Sequence, residues 1–372
     1  MNSKAETIIR ELLETAGIEI NGHARYDIAV HDDRFYKRVL DDSALGMGES
    51  YMDAWWDCDA LDEFFYRVLS SGIPAKIRDS LSLKWHVFKS RLFNLQNRHR
   101  AYQVGIHHYD IGNDLFRAML DKRMNYSCAY WKNADNLDYA QEAKLDMICK
   151  KIDLRDGMIV LDIGCGWGAF AKFAAEKYGA SVTGITVSKN QHDLGKELCR
   201  GLPVEIRMQD YRAVKGLFDR VISIGSFEHI GYKNHRTYME VVDRTLKDDG
   251  IAFVQTIGQN KSSTTMNPWS TKYIFPNGLV PSVRQIGSAA ENLFVMEDWH
   301  NFGPDYDKTL MAWHKNFTNA WPELSNDYDD RFERMWRYYL LSSAAGFRSR
   351  ENQLWQIVLT KTGRHQPESR YC

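Results

Sequence analysis

Ile159-Val160-Leu161-Asp162-Ile163-Gly164-Cys165-Gly166-Trp167-Gly168 is the stretch on which the fold turns. An apolar run of strand character drives into three glycines at alternate positions, and a helix-like segment, 169–178, follows at once. A buried parallel strand reads as a near-continuous apolar run. Glycines at its end let the backbone turn tightly and approach a ligand where a side chain would collide. The spacing is G-x-G-x-G, whereas a dinucleotide pyrophosphate loop has G-x-G-x-x-G. That difference argues against a nicotinamide dinucleotide.

Outward from this loop, apolar runs predict further strands near 180–186, 203–208, 218–224 and 250–257, and helices near 168–178, 189–199 and 234–246. Strand-helix alternation implies a parallel, doubly wound α/β sheet with ligands at the carboxyl ends of its strands. The tail predicts helices near 305–321 and 328–346 and then a strand over 353–360, read as an antiparallel edge strand. Glycine spacing and element order together point to the first motif of S-adenosylmethionine (SAM) methyltransferases. That loop receives a methionine moiety and a ribose instead of phosphates.

The strand ends supply the candidate chemistry. Asp162, Gly164, Gly166 and Gly168 lie in the first loop. The second strand ends in Gly184-Ile185-Thr186-Val187-Ser188 without the acid that often holds ribose hydroxyls, so Thr186 and Gln191 are the nearest polar candidates. After the third strand, Gln209 and Asp210 are placed to meet an adenine edge, with Asp210 as acceptor for its amine. Glu228 sits just past the fourth strand, where a carboxylate could bind a cation, act as a base or hold another group. Upstream, 108–116 and 125–131 are dense in aromatic and small polar residues, unlike a linker. The adjacent His107 and His108 diverge and make no metal pair, and no metal site is expected.

Composition sets the outer bounds. At 372 residues, one or two domains are expected. Net charge is −1, which gives no overall drive towards nucleic acid. No apolar run approaches the ~20 residues needed to span a bilayer. The N-terminus has no signal-peptide core, and six scattered cysteines form no CxxC pair, so a reducing cytoplasm is expected without disulfides or zinc. Residues 1 to about 70 read as a small, mainly helical unit with a strand-like segment around 18–30. The stretch 71–100 holds seven Lys/Arg against one acid, Asp79. Leu81, Trp85, Phe88, Leu92 and Leu95 make one apolar stripe there at helical spacing. It reads either as a helix packed on the fold with a solvated basic face or as an interfacial helix drawn to anionic lipid.

Taken in order, 108–116, 126–131, 160–168, 184–188, 209–212, 227–231, KYIFPNG at 272–278 and EDWHNFG at 297–303 resemble the cyclopropane fatty acid synthase family, with its mycolic acid relatives. The resemblance covers nearly the whole chain. It implies an N-terminal lipid-associating domain over 1–100 and a SAM-dependent catalytic domain over 101–372. The implied reaction carries a methylene from SAM to the cis double bond of an acyl chain in a phospholipid, closing a cyclopropane through a carbocation. Aromatic faces such as Tyr130, Phe227 and Tyr306 suit that cation. The resemblance further implies a bound bicarbonate as proton acceptor, held by Cys128, Glu228, Ile257 and Tyr306, and cofactor contacts from Tyr126 and Ser127. Where the family has H-T-I-G, this chain has Gln255-Thr256-Ile257-Gly258, so a neutral amide replaces a titratable ring. Peripheral association with the inner face of the inner membrane and a homodimer are also implied.

Two other outcomes remain at this point: a methyl-branched or methylene product from a different proton loss, and a lipid- or SAM-binding protein without turnover. A DNA methyltransferase is disfavoured because no basic groove or base-stacking motif accompanies the loop. Cys165 is read as a small loop residue beside SAM, since nothing in this chemistry needs a covalent intermediate.

Overall fold

The computed structural model describes residues 4–73, 112–276 and 278–371. Two short strands, β1 (Ala29–Val30) and β2 (Trp56–Asp57), pair antiparallel near the N-terminus. The strand-like segment expected around 18–30 contracts to β1 and one bridge, Ile20 with Ile28.

The main sheet has seven strands: β3 (Ile159–Ile163), β4 (Ser181–Thr186), β5 (Val204–Met208), β6 (Phe218–Ile224), β7 (Leu246–Gln259), β8 (Val295–Asn301) and β9 (Asn352–Thr360). Their order is β5-β4-β3-β6-β7-β9-β8. The five strands from β5 to β7 run parallel, and β9 is antiparallel to both of its neighbours. The expected doubly wound α/β sheet is thus present. The last strand is not its edge, however: β8 lies outside β9. It carries most of EDWHNFG, and its polar residues are half-buried or exposed, as an edge strand requires. So polar a strand gives little periodic signal, which is why it escapes sequence reading.

Alternation along the strands divides the core between two faces. Leu161, Val221, Val254 and Ile357 share one cluster with Phe227 and Tyr238. Val160, Ile222, Phe253 and Val358 share the other with Phe170 and Phe173. The helix Ala169–Tyr178 is bracketed by left-handed glycines, Gly168 (φ 84°) and Gly179 (φ 66°). The helix Leu137–Lys151 starts at Asn136, whose side chain accepts from the Tyr139 amide.

The N-terminal helices do not stand apart. Phe35, Trp56, Phe64 and Phe65 pack in one apolar cluster with Trp336, Tyr338 and Tyr339 of the helix Asp330–Arg348. Arg334 of that helix lies over Tyr51 at 4.1 Å and donates to the Trp56 carbonyl (2.8 Å) and Asp57 Oδ1 (2.7 Å). Glu49, on the helix Ala44–Met52, accepts from Lys272 (2.5 Å) and Tyr273 (2.8 Å) of the KYIFPNG loop and from Arg38 (2.6 Å). Among the described residues, no helix is long and apolar enough to cross a membrane. Most of the basic stretch, from residue 74 onward, and 108–111 of the first upstream motif lie outside them.

Candidate active site

A cleft opens at the carboxyl ends of β3, β4 and β6, where the parallel topology directs it. Its floor is the glycine loop. Gly164 (φ 80°) and Gly166 (φ 57°) hold left-handed conformations, and a Cβ on Gly164 would meet Ser226 at 2.5 Å. Trp167 anchors the loop by donating to Asn113 Oδ1 (2.9 Å), which ties it to the upstream aromatic motif.

The structure brings all the residues expected to bind cofactor to this region. Tyr126, Ser127, Asp162, Gly164, Gly166, Thr186, Gln191, Gln209 and Asp210 line the cleft, and Gly168 closes its loop as the cap of the following helix. Thr186 Oγ1 donates to Gln191 Oε1 (2.8 Å), so these two hold one another. Asp210 accepts from the Arg212 amide (2.9 Å) and its guanidinium (2.8 Å), which fixes the carboxylate beside the cleft. Tyr126 shares its hydroxyl with Tyr339 (2.8 Å). Asp162 is 2% exposed, and burial pushes its pKa up to about 7 against the pull of Lys144.

Lys144 carries no signal in the sequence. It is fully buried in the wall of the cleft and donates to Asn125 Oδ1 (2.9 Å) and Ser127 Oγ (3.0 Å). Burial pulls its pKa down to about 8, while the nearby Asp121 opposes the shift. One turn earlier, Gln141 donates to the Ser127 carbonyl (2.9 Å). Asp121 accepts from both the Asn125 amide (2.8 Å) and its side chain (2.8 Å). These contacts join segments far apart in sequence, and no local pattern marks them.

The five expected catalytic residues lie beside the cleft's lining rather than in it: Cys128 follows Ser127, Glu228 precedes His229, and Gln255 and Ile257 are on β7. Cys128, Ile257 and Tyr306 belong to one small cluster with Tyr130 and Phe302. Glu228 Oε1 accepts the Ile257 amide (2.6 Å), while its Oε2 is buried and has no hydrogen-bond partner. Burial pushes the Glu228 pKa up to about 7, against the Ile257 hydrogen bond. Gln255, two residues back along β7, is 1% exposed, and its Oε1 accepts from Gln356 of β9 (3.0 Å). That contact orients the Gln255 amide, leaving its NH2 as the donor end. Burial raises the Cys128 thiol well above its usual range, and its Sγ contacts the Ala129 carbonyl at 3.2 Å.

Of the aromatic residues considered for facing a cation, Tyr130 and Tyr306 border this cluster. Phe227 does not. Its ring is fully buried in the core on the other face, stacked on His235 at 4.6 Å and edge-on to Tyr238. Cys165 also lines the cleft, its thiol raised by burial.

Comparison with known proteins agrees with this geometry. Residues 96–357 match the family described as mycolic acid cyclopropane synthetase. The chain is 54% identical over 354 residues to the cyclopropane-fatty-acyl-phospholipid synthase of Escherichia coli (strain K12), covering 95% of this chain and 93% of that one. Among solved structures it resembles the cyclopropane synthase MmaA2 from Mycobacterium tuberculosis (27% identity, TM-score 0.67), covering 72% of this chain and all of that one. It also resembles the mycolic acid cyclopropane synthase CmaA1 complexed with SAH and CTAB (30% identity, TM-score 0.65), covering 70% and 98% of the two chains.

Proposed function

The chain belongs to the mycolic acid cyclopropane synthetase family, and from that premise we infer that it is a SAM-dependent cyclopropane-fatty-acyl-phospholipid synthase. It transfers a methylene from SAM to the cis double bond of unsaturated acyl chains in phospholipids. The observation that carries the reading is the junction of two sites. A glycine-floored cleft with Asp162, Gln191 and Asp210 gives way, one residue from its lining Ser127 and His229, to Cys128, packed with Ile257 and Tyr306, and to Glu228, bonded to the Ile257 amide.

An alkene is a weak nucleophile, so the residues have three tasks. The glycine loop and the cleft's polar wall hold the methyl donor in one orientation. Tyr130 and Tyr306 keep water from the cation, and an aromatic face can contribute ~2 kcal/mol or more once desolvated. Glu228 and Gln255 flank the place where a proton must leave.

The site offers bicarbonate its own donors and acceptors. Glu228 Oε2, buried and unpartnered, suits the hydroxyl of a small oxyanion, and the Gln255 amide and Tyr306 phenol can donate to its oxygens. The Ile257 amide is already given to Glu228, so it supports the carboxylate instead of meeting the anion. These residues therefore fit bicarbonate, with Glu228, Gln255, Tyr306 and the Cys128 segment holding it. When bound, it supplies a base of the strength the proton loss requires.

Access to substrate is by peripheral docking on the cytoplasmic face of the inner membrane, supported by the seven Lys/Arg between 71 and 100. The family resemblance supports a homodimer, which light scattering of the purified protein tests.

The defining experiment incubates the protein with SAM and vesicles of cis-monounsaturated phospholipid and records NMR spectra of the extracted chains. Upfield ring protons with loss of the alkene signal are expected. A retained alkene on a heavier chain would replace ring closure by methyl transfer with a different proton loss. No added carbon despite SAM binding would overturn the enzyme reading.

A further inference from the structure

Lys144 is a buried cation that the expected chemistry leaves unused. A lysine ammonium only donates, so both of its hydrogen bonds have a fixed direction. The Ser127 oxygen must accept from it at 3.0 Å, and the Asn125 oxygen must accept at 2.9 Å. The Asn125 amide group, in turn, donates to Asp121 (2.8 Å). The chain of donors from Lys144 thus ends on Ser127, whose own O–H proton is not needed by the lysine.

Ser127 is 7% exposed and borders the cleft, opposite Gly225 at the end of β6. Asp162 lies in the same cleft, near enough to Lys144 for each to shift the other's charge. One buried acid at the end of β3 and one buried cationic donor on the helix Leu137–Lys151, both lining a single cleft, match a zwitterionic amino-acid end.

We propose that Lys144 is a positioning residue for the α-carboxylate of the methyl donor. By donating to Ser127 Oγ it reserves the Ser127 proton for that carboxylate. The inference rests on the SAM-dependent reading above and assigns the polarity of one end of its cofactor site. Gln141, holding the Ser127 carbonyl from the preceding helical turn, fixes the same segment without adding charge. The adjoining Cys128 places this contact one residue from the catalytic cluster, so a misplaced carboxylate would also misplace the methyl group.

The test compares binding of SAM and decarboxylated SAM by calorimetry in the full-length protein without lipid. The two ligands differ only in the carboxylate. Lys144→Met should weaken SAM by about tenfold or more, the loss of one charge-assisted hydrogen bond, and leave the decarboxylated ligand within twofold. An equal loss for both ligands, or none for either, overturns the proposal. Ser127→Ala keeps the Lys144–Asn125 bond and guards against a Lys144→Met protein that does not fold. It should show the same selective loss by itself, and no selectivity would overturn the relay. In the Ser127→Ala background, Lys144→Met should cost no further discrimination. A second full loss there would mean that the lysine meets the carboxylate directly, against the proposal. If the unmodified protein binds neither ligand, the SAM-dependent reading itself fails, which the selectivity ratios distinguish from failure of the relay alone.

Discussion

Glu228 and Ile257 are joined by a 2.6 Å hydrogen bond from the Ile257 amide to one carboxyl oxygen, and the other oxygen is buried without a partner. A buried polar atom left unpaired costs about 1–3 kcal/mol. In the bicarbonate reading, that oxygen is the one the bound anion would satisfy. The backbone of β7 thereby fixes one oxygen of the carboxyl group and leaves the other unpaired.

Glu228→Gln keeps the shape and the Ile257 contact but loses the carboxylate. Turnover should fall by about 100-fold or more, while calorimetric affinity for SAM stays within about twofold. A turnover within tenfold of the parent would remove Glu228 from the proton-transfer account.

The same residue sets a pH dependence of stability. Its pKa is about 7 folded against 4.5 for the free side chain. Between these values the folded protein binds the extra proton, so this contribution to stability falls as pH rises from 4.5 through 7. The full effect is on the order of 3 kcal/mol. Glu228→Gln should therefore melt higher than the parent at pH 8 and no higher at pH 5, by calorimetry. An equal difference at both pH values would contradict the burial argument.

Gln255 is held by Gln356 as a neutral donor. Replacing it by histidine restores a ring that can carry charge or accept a proton, and should raise ring-forming turnover by about fivefold, ~1 kcal/mol. Gln255→Leu removes the donor and should lower turnover while leaving SAM binding intact. NMR of the lipid products reads both rate and product type.

Cys128 sits next to the chemistry, yet burial holds its thiol protonated. Only the thiolate is a strong nucleophile. Cys128→Ala should retain turnover within about tenfold, and iodoacetamide should leave Cys128 unmodified in the folded protein, as peptide mass spectrometry will show. Rapid alkylation with loss of activity would reverse this assignment.

Glu49 ties the N-terminal helices to the KYIFPNG loop. Burial would raise its pKa, but hydrogen bonds from Lys272, Tyr273 and Arg38 outweigh it and hold the group down to about 2. Its stabilising share is full above pH 4.5 and is lost as pH falls towards 2. Glu49→Ala should cost about 2 kcal/mol in urea unfolding at pH 7. No change at pH 7 would mean that the loop is held by packing alone.

Charge reversal at Lys84, Lys89 and Arg91 should weaken sedimentation with anionic vesicles and leave binding to neutral ones unchanged. Unaltered binding to anionic vesicles would remove the basic stretch from the docking surface.

The strand-loop-helix unit was legible in the sequence because its causes are local. A five-residue apolar, β-branched run closed by glycines reads as a buried strand, and glycines at alternate positions mark where φ turns positive, as Gly164, Gly166 and Gly168 do. Helix Asp330–Arg348 and strand β9 announce themselves by periodicity in the same way. Family motifs carried Cys128, Glu228, Gln255, Ile257 and Tyr306 as candidates. What the sequence could not supply was direction and partner. That β8 covers β9, that Phe227 turns into the far core, and that the Ile257 amide is spent on Glu228 all depend on packing between distant segments. Lys144 shows the reason most clearly. In sequence it is one lysine in a charged helical segment, and only the fold removes it from water and sets Asn125, Ser127 and Asp162 around it. Local chemistry determines which elements form; desolvation, which exists only in the assembled structure, decides which of their side chains become a site.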